Sequence, residues 1–258
     1  MYETETEPET KGATRRTRAF ATALFGLAGY LVGVQGVLYL MGYLTFGREL
    51  SGTSRAAAPR AAVFDLLLML AFATHHSVLA RTPVKRLLWH RLPEPVERSA
   101  YVGASGLLLI LLTEHWQGLP FTLWNLSDTP WAFGVWLLYG LGWSLSLAAV
   151  FTLNQFDLFG LLGSLTELRR RPPRQAHLRE NGPYRWLRHP MYTGFVIACW
   201  AAPEMSGGRL IFAASLTLYA IGGAWLEERD LALRYGEPYR QYRARVPAVL
   251  PARTRRAG

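Results

Sequence analysis

The chain has 258 residues, half of them hydrophobic, and a formal net charge of +10. That length suits one domain. Its arginines flank long apolar runs and form no continuous stripe, which excludes a nucleic-acid surface and points to a lipid bilayer.

Residues 1–18 are acidic, then basic, without periodicity, and read as a disordered cytoplasmic tail. Nothing from 19 to 47 is charged, so a first membrane span is expected there. That run is too long for a secretory signal and has no clear cleavage site. A loop with Gly47, Gly52 and Pro59 follows. The second span, about 61–80, carries Asp65 near its start and Thr74-His75-His76-Ser77 near its end. A basic loop covers 81–98. The third span, 99–113, is short unless Glu114 and His115 lie at the interface.

The stretch 114–130 has no lysine or arginine, and a fourth span over 131–156 runs into Asn154-Gln155-Phe156-Asp157-Leu158-Phe159-Gly160. Residues 161–181 are strongly basic, contain Pro172-Pro173 and read as a cytoplasmic connection. Two apolar stretches, 190–202 and 209–226, are separated by Pro203 and Gly207-Gly208, a turn signal. They form a hairpin whose first arm is too short to cross straight. Cys199, the single cysteine, lies in that arm and excludes an internal disulfide. With both termini cytoplasmic, the basic loops fall inside and 114–130 outside; three arginines at 48–60 violate the pattern. The expected fold is therefore all-α, a polytopic integral membrane helix bundle of five to six segments. It forms a single domain over 19–251, with a C-terminal helical hairpin and a basic tail at 252–258.

Two polar clusters stand at the ends of that hairpin. Gly182-Pro183-Tyr184-Arg185 and Arg188-His189-Pro190-Met191-Tyr192-Thr193-Gly194 open it. Glu227-Glu228 and Tyr235-Gly236-Glu237-Pro238-Tyr239-Arg240-Gln241-Tyr242 close it. Proline suits the first position of a helix, which makes His189 an N-cap. The exposed N–H groups and the dipole there favour an anion. Gly194 would admit a ligand or another helix to the backbone. A hairpin returns Glu227 and Glu228 to Arg188 and His189, so both charge signs converge, as a zwitterionic amino-acid ligand requires. The tyrosines either stack on a base or form an interfacial belt. The six histidines show no metal-ligand spacing, and no Gly-x-Gly-x-x-Gly precedes a helix.

The Gly-Pro-Tyr-Arg, Arg-His-Pro-x-Tyr-x-Gly, Glu-Glu and Tyr-Gly-x-x-Tyr-x-x-Tyr series resembles the membrane methyltransferases related to isoprenylcysteine carboxyl methyltransferase and phospholipid methyltransferases. That resemblance implies S-adenosylmethionine bound within 182–246. Its binding residues would be Tyr184, Arg185, Arg188, His189, Pro190, Tyr192, Gly194, Glu227, Glu228, Tyr235 and Tyr239.

Thr74-His75-His76-Ser77-Val78-Leu79-Ala80-Arg81, Pro95-Val96-Glu97-Arg98-Ser99-Ala100-Tyr101 and the Asn154–Gly160 run resemble signatures of bacterial methanethiol S-methyltransferases. His75 departs from them, standing where glutamine is expected. The resemblance implies a multi-pass enzyme of the bacterial inner membrane that makes dimethyl sulfide from methanethiol, with its cofactor site facing the cytoplasm. Such an enzyme must help form a thiolate. His76 is the first choice of base, with Asp157 orienting it or accepting the proton itself. Arg98 would stabilise the thiolate and Glu97 would hold Arg98. His76, Asn154 and Asp157 read equally as a structural network between helices. A lipid or isoprenyl-linked acceptor, or a non-enzymatic NnrU-like membrane protein, is the alternative.

Overall fold

In the computed structural model, residues 7–47, 57–78, 92–168 and 177–249 are described. Residues 1–6, the loop at 48–56, most of the basic loop at 79–91, the Pro172-Pro173 connection at 169–176 and the tail at 252–258 lie outside them. Five helices are long and apolar enough to cross a membrane. They belong to α1 (Glu7–Phe46), α2 (Ala58–Val78), α3 (Glu94–Glu114), α4 (Trp131–Leu153) and α8 (Gly207–Tyr235). Between α4 and α8 lie α5 (Gln155–Leu158), α6 (Leu161–Leu168), a 3₁₀ turn at Gly182–Arg185 and α7 (Pro190–Trp200); α9 (Glu237–Arg245) follows. Apolar side chains such as Phe133, at 77% exposure, and Leu218, at 72%, face outward. A surface so apolar matches hydrocarbon rather than water.

Two expectations need correction. Helix α1 begins at Glu7, so the backbone at 7–18 is a helical extension of the first span and not an irregular tail. The helix continues through it because, after Pro8, the segment to Phe46 contains no proline and every N–H can find its carbonyl one turn back. Secondly, 161–168 is no simple connection. It forms α6, and Ser164 is fully buried against α1 and α3.

Close crossings between small residues set the bundle. Helix α1 carries Gly26, Gly29, Gly33 and Gly36, where an added Cβ would strike Ser164, the Ser99 backbone, Val102 and the Gly106 backbone respectively. Without water to expel, membrane helices gain contact chiefly by such backbone approach. Gly142 on α4 and Gly194 on α7 make a second crossing. There the Ser146 hydroxyl donates to the Met191 carbonyl at 3.0 Å.

The two ends of the bundle differ. At one end a two-stranded antiparallel ribbon pairs β1 (Thr122–Asn125) with β2 (Glu204–Ser206). It binds the stretch before α4 to the turn between α7 and α8, where the Ser206 hydroxyl caps α8 by accepting from the Arg209 N–H at 3.1 Å. The buried Trp116 indole donates to the Gly208 carbonyl at 3.0 Å, and buried Asp65 accepts from the Gln117 N–H at 3.0 Å. Tyr43, Leu44, Phe72, Leu112, Trp116 and Phe212 form the core below. The other end gathers the C-terminus of α2, the start of α3, the end of α4, the start of α7 and the lower half of α8. With eleven residues, α7 is only about 16 Å long, less than a full span.

Candidate functional site

Pro190 opens α7 and His189 is its N-cap residue, yet the His189 side chain makes no cap bond. The imidazole, 4% exposed, turns instead toward α8. Its Nε2 lies 3.2 Å from Glu228 Oε1 and its Nδ1 lies 3.7 Å from Glu227 Oε2. Arg188 is gripped more tightly. Its Nε and Nη2 donate to Glu228 Oε1 at 2.8 and 2.5 Å, and its Nη1 donates to the Val246 and Arg243 carbonyls at 2.6 and 3.0 Å. Arg243 Nε stands 3.4 Å from the second Glu228 oxygen. From α8, Glu228 thus ties the residues before α7 to α9, which makes it a structural hub.

The chain after α9 completes this arrangement. The N–H groups of Arg188 and His189 donate to the Pro247 and Ala248 carbonyls at 2.9 and 3.0 Å. Helix α9 itself is pinned by Tyr239, Tyr242 and Val246, packed with Leu231, Ala232 and Tyr235. The Tyr242 hydroxyl donates to the Tyr184 carbonyl at 2.8 Å. Burial, helped by the nearby Glu180 carboxylate, pushes the Tyr242 phenol up to about 12. A positive φ of 60° at Gly236 makes the turn from α8 into α9, a conformation that suits glycine.

Beside this hub opens a cavity of about 450 Å³, within the range of small-molecule sites. Arg188, His189 and Tyr192 line it from α7 and the residues before it. Glu227, Asp230 and Arg234 line it from successive turns of α8, and Tyr184 from the 3₁₀ turn. Glu227 is half exposed, and the Tyr192 ring stacks on His189 at 5.7 Å with 17° between planes. About two turns earlier on α8 than Glu227, Tyr219 continues the lining, joined by His76 and Ser77 from α2 and Tyr101 from α3. His76 is clamped between the Phe72 ring at 5.4 Å and the Tyr101 ring at 5.5 Å.

The structure brings together Tyr184, Arg188, His189, Tyr192, Glu227 and, in the same cavity lining, His76. Several other expected residues it places elsewhere. Gly194 serves the crossing with α4, Pro190 is buried at the start of α7, and Arg185 is exposed outside the cavity lining. Tyr235 and Tyr239 pack in the α9 core and offer the cavity no stacking surface, because the side of α9 that carries Tyr239 and Tyr242 turns toward α8. The expected partnership of Asp157 with His76 is replaced. Asp157 pairs with Arg98 at 3.9 Å, both partly exposed and outside the lining. Glu97 sits in the first turn of α3, also outside it. Asn154, at a positive φ of 70°, caps α5 by accepting from the Phe156 N–H at 3.2 Å. His75 stacks on Tyr101 and faces a separate apolar groove on α2.

Sequence reasoning missed Tyr219 and the partnership of Tyr101 with His76. The signal was a phenol within an apolar span, which needs a polar neighbour.

Comparison with known proteins adds the relationship. The NnrU protein family matches residues 65–254. Methanethiol S-methyltransferase 1 of Bradyrhizobium diazoefficiens is 36% identical over 95% of this chain and 87% of its own length. The chain belongs to the NnrU and methanethiol S-methyltransferase family. Its relative from Mycobacterium tuberculosis, named methanethiol S-methyltransferase, is 35% identical over 91% of this chain and 97% of its own length. That from Pseudomonas deceptionensis, of the same name, is 40% identical over 79% and 78%. No solved structure matches the chain. The family match thus includes the NnrU likeness that the sequence offered as an alternative, alongside relatives named as enzymes.

Proposed function

We propose that this protein transfers a methyl group from S-adenosylmethionine to methanethiol, forming dimethyl sulfide at the membrane. The observation that carries the reading is one cavity lined by two unlike groups: Arg188, His189 and Glu227 in one, His76, Tyr101 and Tyr219 in the other. The first group fits the donor. Glu227 and Asp230 suit an ammonium and ribose hydroxyls, the α7 N-terminus suits a carboxylate, and the Tyr184 and Tyr192 rings suit a base. When bound, the cofactor supplies a methyl group on a positively charged sulfur.

The protein's own part is alignment and proton removal. Holding the thiol in line with the methyl group makes an encounter of two molecules effectively intramolecular, a gain of about 7–11 kcal/mol in favourable cases. A simple alkyl thiol ionises above the roughly 8.5 of free cysteine, so few molecules are thiolate at neutral pH. His76, in the second group, is the base we assign. The basic composition of 81–98 and 161–181 supports a cytoplasmic position for this end of the bundle, on the side where the charged cofactor is dissolved. Methanethiol, being apolar, reaches the same cavity from the bilayer.

The test incubates purified protein in detergent with S-adenosylmethionine and methanethiol and assays the headspace for dimethyl sulfide, with His189→Ala as control. Product from the wild type alone is expected. No product despite cofactor binding would transfer the reading to lipid or larger thiol acceptors. Absence of both would overturn it.

A further inference from the structure

The proton arrangement around His76 is more specific than a histidine in a cavity. The Tyr101 hydroxyl oxygen lies 2.9 Å from the His76 main-chain carbonyl and 3.1 Å from His76 Nδ1. A carbonyl can only accept, and we assign the one Tyr101 proton to this shorter contact. The Tyr101 oxygen is left as an acceptor, and Nδ1 meets it as an N–H. Ser105 Oγ, 3.3 Å from the same nitrogen, can accept as well. A neutral imidazole protonated on Nδ1 keeps its lone pair on Nε2. That nitrogen has no hydrogen-bond partner among the described residues.

Tyr219 shows the complementary pattern. Ser77 donates to the Tyr219 oxygen at 3.3 Å, which leaves the phenol proton without an acceptor among the described residues. The Tyr219 ring stands edge-on to His76, centroids 6.3 Å apart, and both line the cavity. One free acceptor and one free donor therefore occupy the same wall. A thiol that becomes a thiolate needs this pair: a base for the proton and a donor for the sulfur anion.

Resting on the thiol-methylation reading above, we infer that the substrate sulfur is seated between His76 Nε2 and the Tyr219 hydroxyl. Tyr101 and Ser77 set the proton pattern of that seat. Nε2 takes the S–H proton while Tyr219 donates to the sulfur as charge develops on it. The sulfur electron pair then forms the new S–C bond as the donor's sulfonium S–C bond breaks, its electrons returning to the donor sulfur. His76 afterwards releases the proton to water. The net products are a thioether, the demethylated donor and one proton. Tyr219 is a catalytic residue in this scheme and Tyr101 a positioning residue.

The test uses the full-length protein in detergent, with Tyr101→Phe and Tyr219→Phe beside wild type. Binding of S-adenosylmethionine is measured first and is expected to stay within about twofold, since neither residue belongs to the donor-binding group. Methanethiol methylation near pH 7 is expected to fall by about 10- to 1000-fold in each variant. The deficit should shrink as pH rises toward 9.5, and also with trifluoroethanethiol, a small thiol acidic enough to be partly ionised near pH 7. Loss that is uniform across pH and across both thiols would show a merely structural role and overturn the inference alone. Unchanged methylation in both variants would do the same. A wild type inactive on every thiol would overturn the methyl-transfer reading together with it.

Discussion

A single oxygen of Glu228 accepts from both Nε and Nη2 of Arg188, at 2.8 and 2.5 Å. The two side chains are only 13% and 10% exposed and lie forty residues apart in the chain. Their partners differ in kind from those of the neighbouring Glu227, which is 48% exposed and lines the cavity.

Glu228→Ala and Glu227→Ala should therefore fail differently. Removing Glu228 leaves Arg188 and Arg243 without their shared carboxylate. Breaking a mostly buried pair by removing one partner costs about 3 kcal/mol, so the detergent melting temperature should fall along with cofactor binding. Glu227→Ala should melt like wild type and weaken S-adenosylmethionine binding by about 10- to 100-fold, the value of a charged hydrogen bond. Calorimetric binding and thermal melts on both variants decide the matter; equal melting temperatures would refute the division of labour.

His76→Ala and Asp157→Asn make a second contrast. His76 lines the cavity, whereas Asp157 holds Arg98 at 3.9 Å outside it. An exposed pair contributes about 0–1 kcal/mol, so Asp157→Asn is expected to lose less than about fivefold in methylation rate. Loss of a general base should cost His76→Ala about 10²- to 10⁴-fold. A larger loss in Asp157→Asn than in His76→Ala would restore the partnership expected from the sequence.

The helix crossing of α4 and α7 offers a third test. A Cβ on Gly194 would collide with Ser146 Oγ and the Gly142 carbonyl. Overpacking of this kind costs about 1–3 kcal/mol. Gly194→Ala should lower the melting temperature, while a paired Ser146→Gly change should recover part of it. No recovery in the double variant would mean that the contact with the Gly142 backbone dominates.

The apolar runs foretold the spans because burying a helix in hydrocarbon demands some twenty apolar residues, and composition alone reports that. The hairpin was legible for the same reason: Pro203 and Gly207-Gly208 interrupt it, and charge lies at both ends. What composition does not carry is which way a polar residue turns. Asp157 and His76 both adjoin an apolar run, but one turns outward to Arg98 and the other inward to Tyr101. The C-terminal tyrosines look alike on paper, yet Tyr239 and Tyr242 are consumed in seating α9. The ribbon of β1 and β2 was invisible because its two strands, four and three residues long, are too short for an alternating pattern to declare itself.

The Pro247 and Ala248 carbonyls complete the backbone of Arg188 and His189. In chain order these two residues follow every helix that, among the described residues, is long and apolar enough to cross the membrane. A chain cut just before Pro247 would keep those helices and lose the two carbonyls that hold the backbone of Arg188 and His189. Insertion of the spans and completion of this corner are thus separable, and intact insertion is no measure of a working molecule.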